Sequence, residues 1–140
     1  MKPYNYDRLK EKILSLPYDY VTLLRPLNLA CEAECNAHFH SGGEYSTTVK
    51  LNGDVLIIVV SDNGKGIDDI DRAFEERFST AGEEAKKHGV GGGLGMPKLK
   101  EADWLDVKTE KNIGTVITMG FNLAAGYDLG AEKYKKTLVR

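Results

Sequence analysis

The 140 residues carry a formal net charge of −2, with 41% hydrophobic and 29% charged side chains, the profile of a folded soluble chain large enough for one core. So balanced a charge gives no global reason to expect direct nucleic-acid binding or an anionic membrane as partner. The polar opening Met1 to Lys12 is unlike a secretory segment, and the longest apolar run, Val55 to Val60, is too short to span a bilayer. A cytoplasmic protein with free thiols at Cys31 and Cys35 is expected.

In chain order, Asp7 to Leu16 reads as a short amphipathic helix that Pro17 interrupts. Pro26 suits the first turn of a second helix, predicted to run to about His40 and to stop at Ser41-Gly42-Gly43. Tyr45 to Leu51 and Val55 to Val60 read as strands, with Asn52-Gly53 as the hairpin turn. Asp68 to Phe74 fits a short helix, and the glycine-rich, charged stretch Phe78 to Gly95 is expected to be mobile. Leu94 to Ala102 is predicted as a helix with Pro97 in its first turn. Trp104 to Thr109 and Thr115 to Phe121 alternate as a second hairpin around Asn112 to Gly114, with Trp104 expected in the core. Lys133 to Arg140 is left between a frayed helix and disorder. Hairpins interleaved with helices favour two layers over a doubly wound parallel sheet. One domain over residues 1–140 is expected, with 1–26 as a variable N-terminal extension and 122–140 as a C-terminal tail.

Three segments carry chemistry. On the second helix, Leu27, Cys31, Cys35 and Phe39 form an apolar stripe, and Glu32, Asn36 and His40 a polar one beside it. The Asn36 carboxamide oxygen suits Mg²⁺, a hard cation, and Glu32 one turn away suits a general base beside metal-bound phosphates. A solvated helix face is the plainer reading of the same stripe. Asp62-Asn63-Gly64-Lys65-Gly66 follows the apolar strand; its carboxylate can accept from an exocyclic amine, and its glycines let the backbone approach a flat ligand. A simple turn is the alternative. Gly89-Val90-Gly91-Gly92-Gly93-Leu94-Gly95 runs straight into a helix, an arrangement of bare N–H groups that binds phosphate. Its spacing fits neither a P-loop nor a dinucleotide fingerprint.

Taken in order, these segments resemble the GHKL, or Bergerat-fold, ATPases, a superfamily shared by gyrase, Hsp90-type chaperones, sensor histidine kinases and MutL. Glu32-x-x-x-Asn36 resembles the N box and Asp62-x-Gly64-x-Gly66 the first glycine box. Gly91-Gly92-Gly93-Leu94-Gly95 resembles the second, Phe78-Ser79-Thr80 the opening of the ATP lid, and Gly114-Thr115 the closing G-T. Within the superfamily the chain is most similar to the bacterial anti-sigma factor serine/threonine kinases, although residues 1–26 carry a helix and connector where that group has an opening strand.

The resemblance implies an α+β fold, a two-layer sandwich with a mixed, mostly antiparallel sheet and helices on one face. It implies ATP and Mg²⁺ as ligands, Glu32 as general base and Asn36 as the metal-holding residue. Asp62 would read the adenine amino group and Thr115 would lie near the base. Gly64, Gly66, Ile67, Ser79, Thr80, Gly91, Gly92, Gly93, Leu94 and Gly95 would complete the nucleotide site. A regulatory partner such as a sigma factor or its antagonist is implied, and a homodimer is compatible with it. Three functions follow from these expectations: a protein serine/threonine kinase, a nucleotide-gated binding module without significant catalysis, or a stand-alone histidine kinase catalytic domain.

Overall fold

A computed structural model describes residues 6–40, 44–67, 95–124 and 134–139. The chain opens with α1 (Tyr6–Leu14) and α2 (Tyr20–His40), followed by β1 (Tyr45–Asn52) and β2 (Val55–Asp62). After the next described segment begins come α3 (Gly95–Lys98), a 3-10 turn (Leu99–Glu101), β3 (Trp104–Glu110), β4 (Gly114–Asn122) and β5 (Tyr134–Val139). The strands form one sheet in the order β1-β2-β4-β3-β5. Every pairing is antiparallel except β3 with β5. The sheet is therefore mixed and mostly antiparallel, and α1, α2 and α3 supply the helical layer, as expected of the α+β sandwich. The predicted helix Asp68 to Phe74 and most of the segment Phe78 to Gly95 lie outside the described residues.

The second helix does not begin at Pro26. It starts at Tyr20, where the Asp19 carboxylate accepts the Thr22 N–H at 2.9 Å and so caps the first turn. Pro26 is buried inside the helix, where it denies Thr22 a donor at a typical cost of about 3 kcal/mol. Tertiary contacts on both sides override that cost. Leu23 is buried in the core. Arg25 donates to the Glu101 carbonyl at 2.6 Å and to Asp103 Oδ1 at 3.2 Å, and its guanidinium lies 5.3 Å from the Phe121 ring centre. Asp103 Oδ2 in turn accepts the Asn122 N–H at 2.7 Å.

The face of α2 that enters the core is Leu23, Leu27, Ala30, Ala33, Glu34 and Ala37. The predicted stripe through Cys31, Cys35 and Phe39 runs along its flank, with Cys35 buried and Cys31 and Phe39 half-buried. The small alanines let the helix lie close over β1 and β2. From α1, Leu9 and Ile13 enter the same core, so part of the segment expected as an extension packs with the body of the domain. The β1–β2 loop is Gly53-Asp54, one residue later than Asn52-Gly53, because Asn52 pairs with Val55. Gly53 has φ +62°, the conformation demanded of the first central residue of a type II′ turn.

Two further expectations are corrected. The C-terminal segment is neither helix nor unstructured: Tyr134–Val139 pairs in parallel with β3 along its outer edge. The edge of β3 leaves a row of backbone donors and acceptors open, and a strand supplies what a frayed helix cannot. Trp104 is not in the core. It lies on the sheet face away from the helices, 46% exposed, over its cross-strand partner Gly120.

Antiparallel register puts directly opposed residues on one face, and the helix-facing side is built of rungs. Leu56 opposes Phe121, Ile58 opposes Met119, and Val60 opposes Ile117; Leu105 and Val107 extend the last two rungs across β3. Each of these side chains is buried and contributes about 1.5–3 kcal/mol by leaving water. The next rung breaks the pattern: it consists of Tyr45, Asp62, Thr115 and Thr109.

Candidate functional site

This polar rung closes the sheet at the end where β2 and β3 finish and β1 and β4 begin. Thr109 and Thr115 are buried, and Asp62 is half-buried. The apolar run of β2 fixes why Asp62 points inward: Leu56, Ile58 and Val60 face the helices, and strand alternation carries the next inward position to residue 62. Desolvation pushes the Asp62 carboxyl above the usual carboxylate range. The N–H groups of Gly64 and Thr115 oppose that shift by donating to it; the Gly64 bond is 2.9 Å. These two donors leave the carboxylate with lone pairs to spare.

The loop after β2 is pinned against the β3–β4 turn. Asn112 N–H donates to the Lys65 carbonyl at 2.8 Å, and Ile67 N–H donates to the Thr109 hydroxyl at 2.8 Å. Gly66, with φ +80°, passes so near β3 that an added Cβ would stand 2.6 Å from the Glu110 carbonyl oxygen. Gly114, with φ +147°, is tighter still: a Cβ there would stand 2.0 Å from the Asp62 carbonyl oxygen. At both positions glycine is required by conformation and by space. Asp62, Gly64, Gly66, Ile67 and Thr115, although β3 intervenes between the first four and the last in sequence, thus meet in one corner. Thr109, which sequence reasoning did not single out, is the hydroxyl that joins them.

Glu32 and Asn36 are half-buried on α2. Arg25, Leu29, Glu32 and Asn36 follow at spacings of four, three and four, so they share one side of the helix. Arg25 identifies what that side faces, since it bonds Glu101 and Asp103 at the end of the 3-10 turn that continues α3. The stripe therefore looks toward the segment that the glycine run enters. On the opposite flank, buried Glu34 accepts a hydrogen bond from Thr47 of β1. Thr47 opposes Val60, one rung short of Asp62. With a rise of about 1.5 Å per residue, Asn36 lies further along α2 toward its C-terminal end, which leads into β1 at the polar corner.

The Nδ2 atom of Asn36 is buried with no hydrogen-bond partner among the described residues. The two ends of a carboxamide are interchangeable in assignment. A phosphate oxygen accepting from its nitrogen, or a hard cation taking its oxygen, would satisfy the group. A nucleotide with Mg²⁺ brings both, so the donor set fits it. Gly95 begins α3; Ser79, Thr80, Gly91, Gly92, Gly93 and Leu94 lie outside the described residues. Glu34 is a further residue that sequence reasoning did not single out. Its spacing from Ala30 and Ala37 was the available signal that it enters the core. Burial pushes its carboxyl up, against the smaller opposing effects of Thr47 and Lys12.

Among the described residues no helix is long and apolar enough to cross a membrane. No curated protein matches the chain. The family model described as "Histidine kinase-, DNA gyrase B-, and HSP90-like ATPase" matches residues 30–125, a span that runs from the buried face of α2 through the polar corner to the end of β4, and the chain belongs to that ATPase family.

Proposed function

We propose that the chain is an ATP- and Mg²⁺-dependent regulatory protein serine/threonine kinase of the anti-sigma-factor type, acting on a small partner protein such as a sigma factor or its antagonist. The observation that carries the nucleotide part is the polar rung itself. An otherwise apolar ladder ends in a half-buried carboxylate with unused acceptor capacity, walled by glycines that admit no side chain. In this reading Asp62 accepts from the adenine 6-amino group. Gly64, Gly66 and Ile67 form one wall, and Thr115 stands beside the base. Asn36 holds Mg²⁺, which supplies charge neutralisation at the phosphate oxygens. Glu32 takes the proton of the attacking hydroxyl. Ser79, Thr80 and the run Gly91 to Gly95 hold the phosphates through hydroxyl and N–H groups.

Calorimetric titration with ATP and Mg²⁺ tests the binding. Asp62→Asn keeps one acceptor oxygen for two N–H donors and a ligand amine, and is expected to weaken ATP by about tenfold or more. A wild-type protein that takes up no ATP ends the reading. Turnover is tested by ADP formation in the presence of a captured partner. Glu32→Gln is expected to lower it by about a hundredfold, and a variant as fast as wild type removes Glu32 from that role. ATP binding with no turnover under any partner would instead favour the nucleotide-gated binding module.

A further inference from the structure

We propose that β1 is a docking edge for a second copy of this chain, and that two copies pair β1 against β1 about Thr47 to form one continuous sheet. The two edges of the sheet differ. Beyond β3 the backbone donors and acceptors are taken up by β5, whereas β1 is the terminal strand on the other side, with no further strand beside it among the described residues. Soluble proteins ordinarily blunt such an edge with a proline, a bulge, a short strand or several charges. β1 runs for 8 residues without a proline, and its only charged side chain is Lys50. Its register with β2 is unbroken from Tyr45 opposite Asp62 to Asn52 opposite Val55, so it carries no bulge. The open edge also leaves apolar surface uncovered. Tyr45, Val49 and Leu51 pack against the core but are only partly buried, while Leu56, Ile58 and Val60 on the same face of β2 are fully buried.

A lysine on an edge strand ordinarily discourages pairing, and the register decides whether it does so here. In a two-fold antiparallel pair one residue lies opposite its own copy, and that choice fixes every other opposed pair. Centring on Lys50 sets the lysine against itself, centring on Val49 sets it against Thr48, and centring on Thr48 sets it against Ser46. Centring on Thr47 sets Lys50 against Glu44, the exposed acid immediately before β1. The same register sets Tyr45 opposite Val49 and Ser46 opposite Thr48. These are the acid–base, aromatic with β-branched, and hydroxyl pairs that stabilise antiparallel strands, and the two-fold axis supplies each of them twice. A seam of one strand pair is smaller than a standard interface, so the dimer forms reversibly and with rising concentration.

The test is sedimentation equilibrium of the whole chain over a range of concentrations, for wild type, Lys50→Glu, Glu44→Lys and the double exchange. Wild type is expected to pass from monomer to dimer. Each single change opposes like charges at both ends of the seam and should weaken the dimer by about tenfold or more. The double exchange restores opposite charges at the same places and should recover the wild-type affinity. Glu44 and Lys50 are both exposed, so all three variants should melt as wild type does at low concentration. Amide exchange along β1 should slow as wild type dimerises. A wild type that stays monomeric overturns the proposal. A dimer indifferent to both single changes also overturns it, because another surface then joins the copies. A double exchange no tighter than the single changes, or a dimer whose β1 amides exchange as fast as those of the monomer, has the same force. The pairing does not rest on the nucleotide reading: ATP binding is measured separately by calorimetry, and the failure of either leaves the other standing.

Discussion

Gly114 sits where β4 meets the end of β2, with its Cα turned against the Asp62 backbone. A methyl group there has to displace the strand that carries the Asp62 carboxylate, and the positive φ adds strain of its own. Gly114→Ala is expected to destabilise the protein by about 3 kcal/mol and to abolish ATP binding, read by urea unfolding and calorimetry. Glu34 gives a prediction in pH. Its folded pKa is raised above the ordinary value of 4.5 by burial. Between those two values the folded state binds more protons than the unfolded state, so stability falls as pH rises through the window. Below the ordinary value the contribution is fully present. Glu34→Gln removes the titration, and above the ordinary carboxylate value the melting temperature should fall less steeply with rising pH than in wild type. An identical slope in thermal scans would show that Glu34 is not the titrating group.

At the scale of elements, α2 connects the packing of the domain to its site. Its N-terminal turn is capped by Asp19, its middle is tied by Arg25 to the segment beyond α3, and its C-terminal half carries Glu32 and Asn36. Asp19→Ala should lower the midpoint of chemical denaturation. The loss should fall on the first turn, so amide exchange should quicken at Thr22, whose N–H the Asp19 carboxylate accepts. The Arg25 network is a stronger tie. Asp103 is 5% exposed and its side chain is paired with a guanidinium that is itself 11% exposed. Arg25→Met leaves that carboxylate with the Asn122 N–H and no countercharge, and is expected to cost about 3 kcal/mol. The helix start also shows how an element can be misread. Proline favours a first helical turn in general, but the helix is capped upstream at Asp19 and buries Leu23, and the burial of Leu23 is not visible in local sequence.

At the scale of the whole molecule, the sheet is two hairpins laid edge to edge, with β5 added outside β3. β5 occupies an edge that would otherwise present free N–H and C=O groups beside Trp104, which is about half exposed. Removal of residues 134–140 should lower the melting temperature and promote self-association at high protein concentration, seen by light scattering. A truncated chain that associates no more than the intact one, with an unchanged transition, would contradict the role of β5 as an edge cover. Much of the rest was legible in advance. The alternation of β1 and β4, the apolar run of β2 and the glycines of both turns specify strands and hairpins through local geometry alone. The ordered motifs at Asp62, Gly64, Gly66 and Thr115 pointed to the corner in which they meet.

The sequence by itself determined which stretches pair as hairpins, which residue types could meet a nucleotide, and the ATPase family, because these depend on short-range spacing and on side-chain chemistry. Only the tertiary structure decided that Thr109 joins the β2 loop to Thr115, that Glu34 enters the core and that the tail is a strand. Each of those outcomes depends on a partner distant in the chain. A hydroxyl, a carboxylate or a row of backbone amides takes its role from what is packed beside it, and proximity across the sheet is not written in any local pattern.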